Sequence, residues 1–221
     1  MRERQTPLTP ELIKYLENNF TAEDDFLKNL VIVSWEKENI PKINITGFQA
    51  NFLQFLIKSI NAKNIIEIGT LAGYSAIVLA RAAGENSKIL TIEKDKKHFE
   101  FAKNKIKQSG LETRIEIINA DAQEFLKSYK PEPPLDFIFI DANKSAYFKY
   151  FSMLAPYLRK GGFCVADNAF AFGHLLDSAV ERNPNEIKSM LNYHKQILER
   201  EDFFSTLVPI GDGLLVSLKL V

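Results

Sequence analysis

Apolar and polar positions alternate along the chain in two different ways. Over residues 1–60 the apolar positions recur at helical spacing. One amphipathic run opens at Thr9-Pro10 and continues through Phe20, a second covers Asp24 to Asn39 until Ile40-Pro41 breaks it, and a third runs from Gly47 to Ile60. From Lys63 onward the pattern changes. Short, nearly unbroken apolar runs rich in Ile, Val and Phe appear at NIIEIG (64–69), KILTIE (88–93), RIEIINA (114–120), LDFIFID (135–141) and FCVAD (163–167). Continuous apolarity is what strands covered on both faces require. Helical patterns separate them: Tyr74 to Ala83, Asp95 to Ser109 with Gly110 as its C′ residue, Ala122 to Tyr129, and Ser145 to Arg159, ending at Gly161-Gly162.

Strands that alternate with helices in this way predict an α/β fold with a mostly parallel, doubly wound sheet. The last part of the chain departs from the alternation. After a polar helical stretch reaching about Glu201, FFSTLVPI and GLLVSLKL flank Gly211-Asp212-Gly213, a hairpin signal that adds two antiparallel strands at one edge and brings the expected total to seven. No repeat or low-complexity linker interrupts the chain. The expectation is a single domain over 1–221, with a helical segment at 1–60 and the sheet core at 61–221.

Composition narrows the classes of function. The 28 Lys and Arg balance the 28 Asp and Glu, so neither a phosphate-coating basic protein nor a highly charged disordered chain is expected. Hydrophobic residues make up 46%, with 17 Phe, enough for a substantial core. The one cysteine, Cys164, excludes an internal disulfide and a multi-cysteine zinc cluster and fits a reducing compartment, so the cytoplasm is expected. The N-terminus lacks the apolar segment of about 7–15 residues that a secretory leader needs, and no run reaches the roughly 20 residues of a membrane span.

In open α/β sheets, ligands bind outside the carboxyl ends of the strands, so the residues that close each apolar run are the candidates. The first run closes on Glu67-Ile68-Gly69-Thr70-Leu71-Ala72-Gly73-Tyr74-Ser75, where two glycines permit a tight turn and a close approach to a ligand. The spacing lacks the third glycine of a dinucleotide fingerprint. The second run closes on Glu93, an acceptor suited to ribose hydroxyls, and the third on Asp121-Ala122, which can border an adenine or simply cap the next helix. Together these ends favour a nucleoside cofactor. The fourth and fifth close on Asp141 and on Asp167-Asn168. Two carboxylates and an amide suit a hard divalent cation, Mg²⁺, Mn²⁺ or Ca²⁺, provided the two strands are neighbours; helix capping is the alternative. Lys144 follows Asp141 by three residues and can reach the same crevice as a general base or remain a surface charge.

From about Ile45 to the C-terminus, the ordered motifs NIIEIGTLAGYSA, LTIEKD, RIEIINADA, DFIFIDANKSAYFKY, LRKGGFCVADN and LVPIGDGLLV resemble the cation-dependent, S-adenosylmethionine-dependent O-methyltransferases, the family of the catechol and caffeoyl-coenzyme A enzymes and small bacterial relatives. The resemblance implies a Rossmann-like class I methyltransferase fold. It implies that Glu67, Gly69, Thr70, Ser75, Glu93, Ala122 and Asp141 contact the methyl donor, with Thr46 and Asn143 at its margin; Asp121 joins this set as a cofactor-binding candidate through its strand-end position. It implies that Asp141, Asp167 and Asn168 hold the metal, that Lys144 acts as the catalytic base alongside Asp141, and that the chain forms a homodimer.

The acceptor implied is a small catechol-like or phenylpropanoid-like hydroxyl compound. Some bacterial relatives instead suggest a 5-hydroxyuridine in transfer RNA. Two departures stand out: Asp-Ala-Asp-Lys of the family is Asp141-Ala142-Asn143-Lys144 here, and Ala169-Phe170-Ala171-Phe172-Gly173-His174 carries phenylalanines where the plant enzymes offer polar contacts. Phe170 and Phe172 are candidates for an aromatic acceptor pocket or for core packing.

A nicotinamide-dependent dehydrogenase and a non-catalytic nucleoside-binding module are the readings from other classes. His98, His174 and His194 lack a ligand spacing and are read as structural or surface residues, His174 being the nearest to the crevice. The lysines at 94, 96, 97, 103, 105 and 107 read as a solvated helix face, and Trp35, in helical register with Leu27, Leu30 and Val31, as a residue packing on the sheet or on a second subunit.

Overall fold

A computed structural model describes residues 6–21, 23–176 and 184–221. Three helices come first, α1 (Pro10–Asn19), α2 (Asp25–Glu36) and α3 (Gly47–Ser59). Their starts are set by sequence: Thr9 and Asp24 accept from the backbone N–H three residues on, and Thr46 with Gln49 forms a reciprocal capping box.

Strand and helix then alternate through β1 (Asn64–Ile68), α4 (Tyr74–Ala83), β2 (Lys88–Glu93), α5 (Lys96–Gln108), β3 (Ile115–Asn119), α6 (Ala122–Leu126), β4 (Leu135–Ile140), α7 (Tyr147–Leu154) and β5 (Leu158–Ala166). Helix α8 (Pro184–Leu198) precedes the hairpin β6 (Phe203–Val208) and β7 (Leu214–Lys219). The strands form one seven-stranded sheet in the order β3-β2-β1-β4-β5-β7-β6. The first five are parallel, whereas β7 joins β5 and β6 antiparallel. This is the Rossmann-like class I methyltransferase arrangement, and the expected doubly wound sheet with its C-terminal hairpin is present.

Side chains from the two sheet faces enter two cores. Ile65, Phe137, Phe139 and Val165 pack with α2, α3 and α4 on one side; Ile66, Ile68, Ile138, Ile140 and Cys164 pack with α7 and α8 on the other. Each fully buried Ile contributes on the order of 1.5–3 kcal/mol of transfer free energy, which is why the strand runs are apolar at every position.

Two helix expectations ran too far. The helix expected from Ser145 to Arg159 is a 3₁₀ turn at Lys144–Ala146, then α7, then a second 3₁₀ turn at Ala155–Tyr157. Pro156 ends the α-helical bonding, and Leu158 to Gly162 already belong to β5, with a register irregularity between Leu135 and Phe137 on the partner strand. The helix expected through Tyr129 stops at Leu126, after one turn.

Candidate active site

Backbone bonds stitch the carboxyl ends of five strands into one row. Ala120 N donates to Glu93 O at 3.0 Å, Gly69 N to Ile92 O at 3.0 Å, Asp141 N to Ile68 O at 2.9 Å, and Asp167 N to Ile140 O at 3.0 Å. The polar residues that close the apolar runs therefore stand side by side along one rim.

A cavity of about 280 Å³ opens over that rim, and Gly69, Glu93, Asp121, Ala122, Asp141, Asn143 and Lys144 all line it. The carboxylates on the β2 and β3 side are already anchored. Glu93 accepts from Thr70 N at 3.3 Å and Leu71 N at 2.8 Å through Oε2, and from Asp95 N at 2.8 Å through Oε1, so it braces the turn after β1. Asp121 fulfils its capping reading and its lining reading together: it accepts from Gln123 N at 2.9 Å and pairs with Lys94 at 2.9 Å. The Lys94 bond, with help from the cap, holds its carboxyl below the usual range. Asn143 caps the 3₁₀ turn, accepting from Ser145 N at 3.2 Å.

Glu67, Thr70 and Ser75 sit beneath this cavity and do not form its wall. Glu67 is fully buried; its Oε2 accepts from Thr91 Oγ1 at 2.6 Å, while its Oε1 has no hydrogen-bond partner among the described residues. Burial pushes its pKa from 4.5 up to about 8, against the opposing effect of the Ser75 and Thr91 hydroxyls. Thr46 is exposed and engaged in the capping box, outside the cavity wall. The glycines serve the protein's own packing. A Cβ on Gly69, at φ +97, would lie 2.0 Å from the Asp141 carbonyl oxygen, and one on Gly73 would lie 3.3 Å from Ala102 Cβ of α5. The close approach that requires glycine at 69 is thus to strand β4.

At the β4 and β5 ends the electrostatics differ. Ile140 pairs with Ala166, so Asp141 and Asp167 leave adjacent parallel strands at the same level. Burial raises the Asp167 pKa to about 7, and repulsion from Asp141 adds to it; Asp141 is itself raised by burial. Lys144 Nζ lies 3.3 Å from Asp141 Oδ1 and over the rings of Tyr147 and Phe172, at 5.3 and 5.7 Å. Gln49, which the sequence reading overlooked, donates from Nε2 to Asp167 Oδ1 at 2.8 Å. Its signal was the Thr46-x-x-Gln49 capping box. Asn168 Nδ2 donates to Asp212 Oδ2 at 3.1 Å, which leaves the amide oxygen as its remaining polar atom.

Among the described residues no group of three or more His, Cys, Asp and Glu side chains is placed to hold a metal ion. The grouping here is two carboxylates and one amide, a donor set of hard oxygen atoms.

A second cavity, about 490 Å³, shares Ile43, Ala142, Asn143 and Lys144 with the first and extends to Ala171, Phe172, His174, Glu186 and Ile187. Phe172 lines it and is exposed, not packed in the core. Phe170 does not line it: its ring packs over Gly213, where a Cβ would come within 2.9 Å of it. Leu71, within the turn after β1, also lines the wall, and so does His98, which corrects its reading as a structural or surface residue lying farther from the crevice than His174; Ile43 and Tyr150 carried no sequence signal, because their place over the rim depends on tertiary packing.

Other expectations also change. Lys105 is buried against Phe101 and bonds Gln108 instead of facing solvent. Trp35 is half exposed under Lys42, outside the core that holds Leu27 and Leu30. Cys164 is buried, and burial pushes its thiol pKa up, as expected of an inert core residue. A larger cavity, about 890 Å³, lies at the amino-terminal ends of β2 and β3, away from the rim where these groups converge.

A family described as O-methyltransferase matches residues 17–220. The chain belongs to the S-adenosylmethionine-dependent O-methyltransferases. A catechol O-methyltransferase of Niastella koreensis is 38% identical over 165 residues, 74% of either chain, and one of Mycobacterium tuberculosis is 31% identical over 172 residues, 78% of this chain and 77% of that one. Among solved structures, the O-methyltransferase of Bacillus cereus in complex with SAH superimposes with a TM-score of 0.86 at 28% identity, covering 95% of this chain and 97% of that one. As an O-methyltransferase, the chain is neither a dehydrogenase nor a non-catalytic binding module. No helix among the described residues is long and apolar enough to cross a membrane.

Proposed function

We propose that this O-methyltransferase transfers a methyl group from S-adenosylmethionine to a hydroxyl of a small catechol-like or phenylpropanoid-like acceptor, with a divalent cation, Mg²⁺ ahead of Mn²⁺ or Ca²⁺, at the acceptor. One observation carries the reading: Asp141 and Asp167 stand together on adjacent strand ends, with Lys144 bonded to Asp141 on the wall common to two cavities. The smaller cavity is then the donor site and the larger one the acceptor site. The names of the catechol relatives support the same acceptor class.

In this reading Gly69, Glu93, Asp121, Ala122 and Asn143 border the donor, Glu67, Thr70 and Ser75 support its floor, and Thr46 acts through the cap that orients Gln49. Asp141, Asp167 and Asn168 would hold the cation, which when bound lowers the pKa of a ligated hydroxyl and fixes its direction. With Asp141 committed to the cation, the Lys144 ammonium would give up a proton to solvent, and the neutral amine would then take the acceptor proton. Methyl transfer is an in-line displacement, so the walls must hold the acceptor oxygen about 3 Å from the methyl carbon. Phe172 and Ile187 supply the apolar surface for a flat acceptor ring.

The transfer RNA alternative needs a basic rim. Lys94 and Lys144, the Lys and Arg side chains lining the two cavities among the described residues, are both ion-paired. A homodimer is proposed on the exposed apolar surface of the helical segment: α1 buries none of its residues, and Ile32 and Trp35 of α2 are about half exposed. The free thiol of Cys164 supports a reducing compartment such as the cytoplasm. The test of the acceptor is incubation with labelled S-adenosylmethionine, a catechol panel and undermodified transfer RNA. Label in the catechols is expected; label confined to transfer RNA, with steeply salt-dependent binding, overturns the assignment.

A further inference from the structure

The Gly211-Asp212-Gly213 turn between β6 and β7 stands out in the sequence as a hairpin signal and has no part in the chemistry above. It lies against both sides of the cation site. A Cβ on Gly211 would fall 2.4 Å from Gln49 Cδ, so the turn packs directly on the amide that holds Asp167. On its other side the backbone pairs with the segment after β5: Ala169 N donates to Gly213 O at 3.0 Å and Phe170 N to Asp212 O at 2.8 Å.

The Asp212 carboxylate gathers the same segment. Its Oδ2 accepts from Asn168 Nδ2 at 3.1 Å and Phe172 N at 2.7 Å, and its Oδ1 accepts from Gly173 N at 3.1 Å. The segment needs that support. Asn168, Ala171 and Phe172 all have positive φ, between 52° and 60°, and each such non-glycine residue persists only where its surroundings over-determine it.

We propose that Asp212 is a positioning residue that fixes which atom Asn168 offers to the cation and holds Phe172 as the acceptor wall. The argument rests on donor chemistry. An ionised carboxylate only accepts hydrogen bonds, so the Asn168 atom facing Asp212 has to be the NH₂ group. The amide oxygen is then the atom left for a cation. With Asp212 neutralised to an amide, either rotamer of Asn168 finds a partner, and half of those arrangements turn the NH₂ group toward the positive charge. The amide keeps only one acceptor oxygen, so at least one of the two backbone N–H groups of the strained loop, Phe172 N and Gly173 N, loses its partner as well. Asp212 itself touches no reacting atom, and the inference depends on the cation reading of Asp141, Asp167 and Asn168.

The test is Mn²⁺ affinity, measured by electron paramagnetic resonance on the full chain, beside S-adenosylhomocysteine affinity by calorimetry, for wild type, Asp212→Asn, Asn168→Ala and the double variant. Asp212→Asn is expected to weaken Mn²⁺ binding by about 10- to 100-fold, the usual effect of removing the partner of a metal ligand. S-adenosylhomocysteine affinity should stay within about twofold of wild type, since the donor cavity is untouched. In the Asn168→Ala background the same change should cost little more, because the oriented ligand is already gone.

Wild-type protein that takes up no Mn²⁺ overturns the cation reading and this inference with it. Wild-type uptake with unchanged affinity in Asp212→Asn overturns the inference alone, as does an equal loss in both backgrounds, which would mark general loosening. Should Asp212→Asn fail to bind S-adenosylhomocysteine, Asp212→Glu, which keeps an acceptor-only carboxylate, is expected to retain Mn²⁺ affinity within about threefold of wild type; loss of Mn²⁺ binding with S-adenosylhomocysteine binding intact overturns the inference.

Discussion

The two halves of the rim are built on opposite principles. At the ends of β2 and β3 every carboxylate is satisfied by its neighbours: Glu93 by three backbone N–H groups and Asp121 by a helix cap and Lys94. At the ends of β4 and β5, two carboxylates crowd one another, both are pushed toward protonation, and the loop beyond them runs through positive φ. The satisfied half is a preformed cradle that needs only shape. The frustrated half holds its charge at a cost, a feature of catalytic sites, and on the proposed reading a bound cation would relieve it.

Substitutions can break that contrast in order of size. Asp167→Ala should lower turnover about a thousandfold, the equivalent of roughly 4 kcal/mol of lost transition-state stabilisation, while S-adenosylhomocysteine still binds. Asp141→Ala should lose turnover and donor binding together, because its side chain lines the smaller cavity and holds Lys144 at the wall shared with the larger one; steady-state kinetics with calorimetry separates the two. Lys144→Ala should slow transfer by about a hundredfold and leave donor affinity intact, and unchanged turnover would remove its role as base. Gly69→Ala tests the meeting point of the halves. With φ +97 and the Asp141 carbonyl 2.0 Å from a Cβ, it should destabilise the fold by about 3 kcal/mol in urea unfolding.

The smallest effect concerns the floor. Glu67 titrates near 8 when folded, against 4.5 ordinarily, so its contribution to stability is complete below about pH 4.5 and is lost as pH rises through about 8. Glu67→Gln should remove part of that decline. Melting curves of ligand-free wild type and variant are expected to diverge by roughly 2–4 °C between pH 7 and 9; parallel curves would contradict the buried, neutral state.

Much of this was legible in the sequence, for a local reason. Strand interiors declare themselves by continuous apolarity, so the residue closing each run is marked, and Gly69, Glu93, Asp121, Asp141, Asp167 and Asn168 could be named before any contact was seen. Their neighbours were not marked. Gln49 reaches Asp167 from 118 positions away, Ile43 and Tyr150 enter from a loop and a helix, and Asp212 returns from the far hairpin. Periodicity also misled where a polar-apolar pattern continued past a break: Leu158 and Arg159 look like the tail of a helix, yet Pro156 had already ended it and the sheet claimed them. Phe170 and Phe172 are two residues apart and chemically alike, yet one ring packs over Gly213 and the other lines the cavity of about 490 Å³, a difference set by tertiary packing.

The central claim is that the Asp141–Asp167 pair holds a cation needed for methyl transfer. Its most direct test is turnover of a catechol with saturating S-adenosylmethionine as chelator is titrated in and Mg²⁺ is then restored, with donor affinity followed in parallel. Activity that falls to background under chelator, returns with Mg²⁺, and does neither in Asp167→Ala is the predicted result. Equal turnover with and without chelator would contradict it.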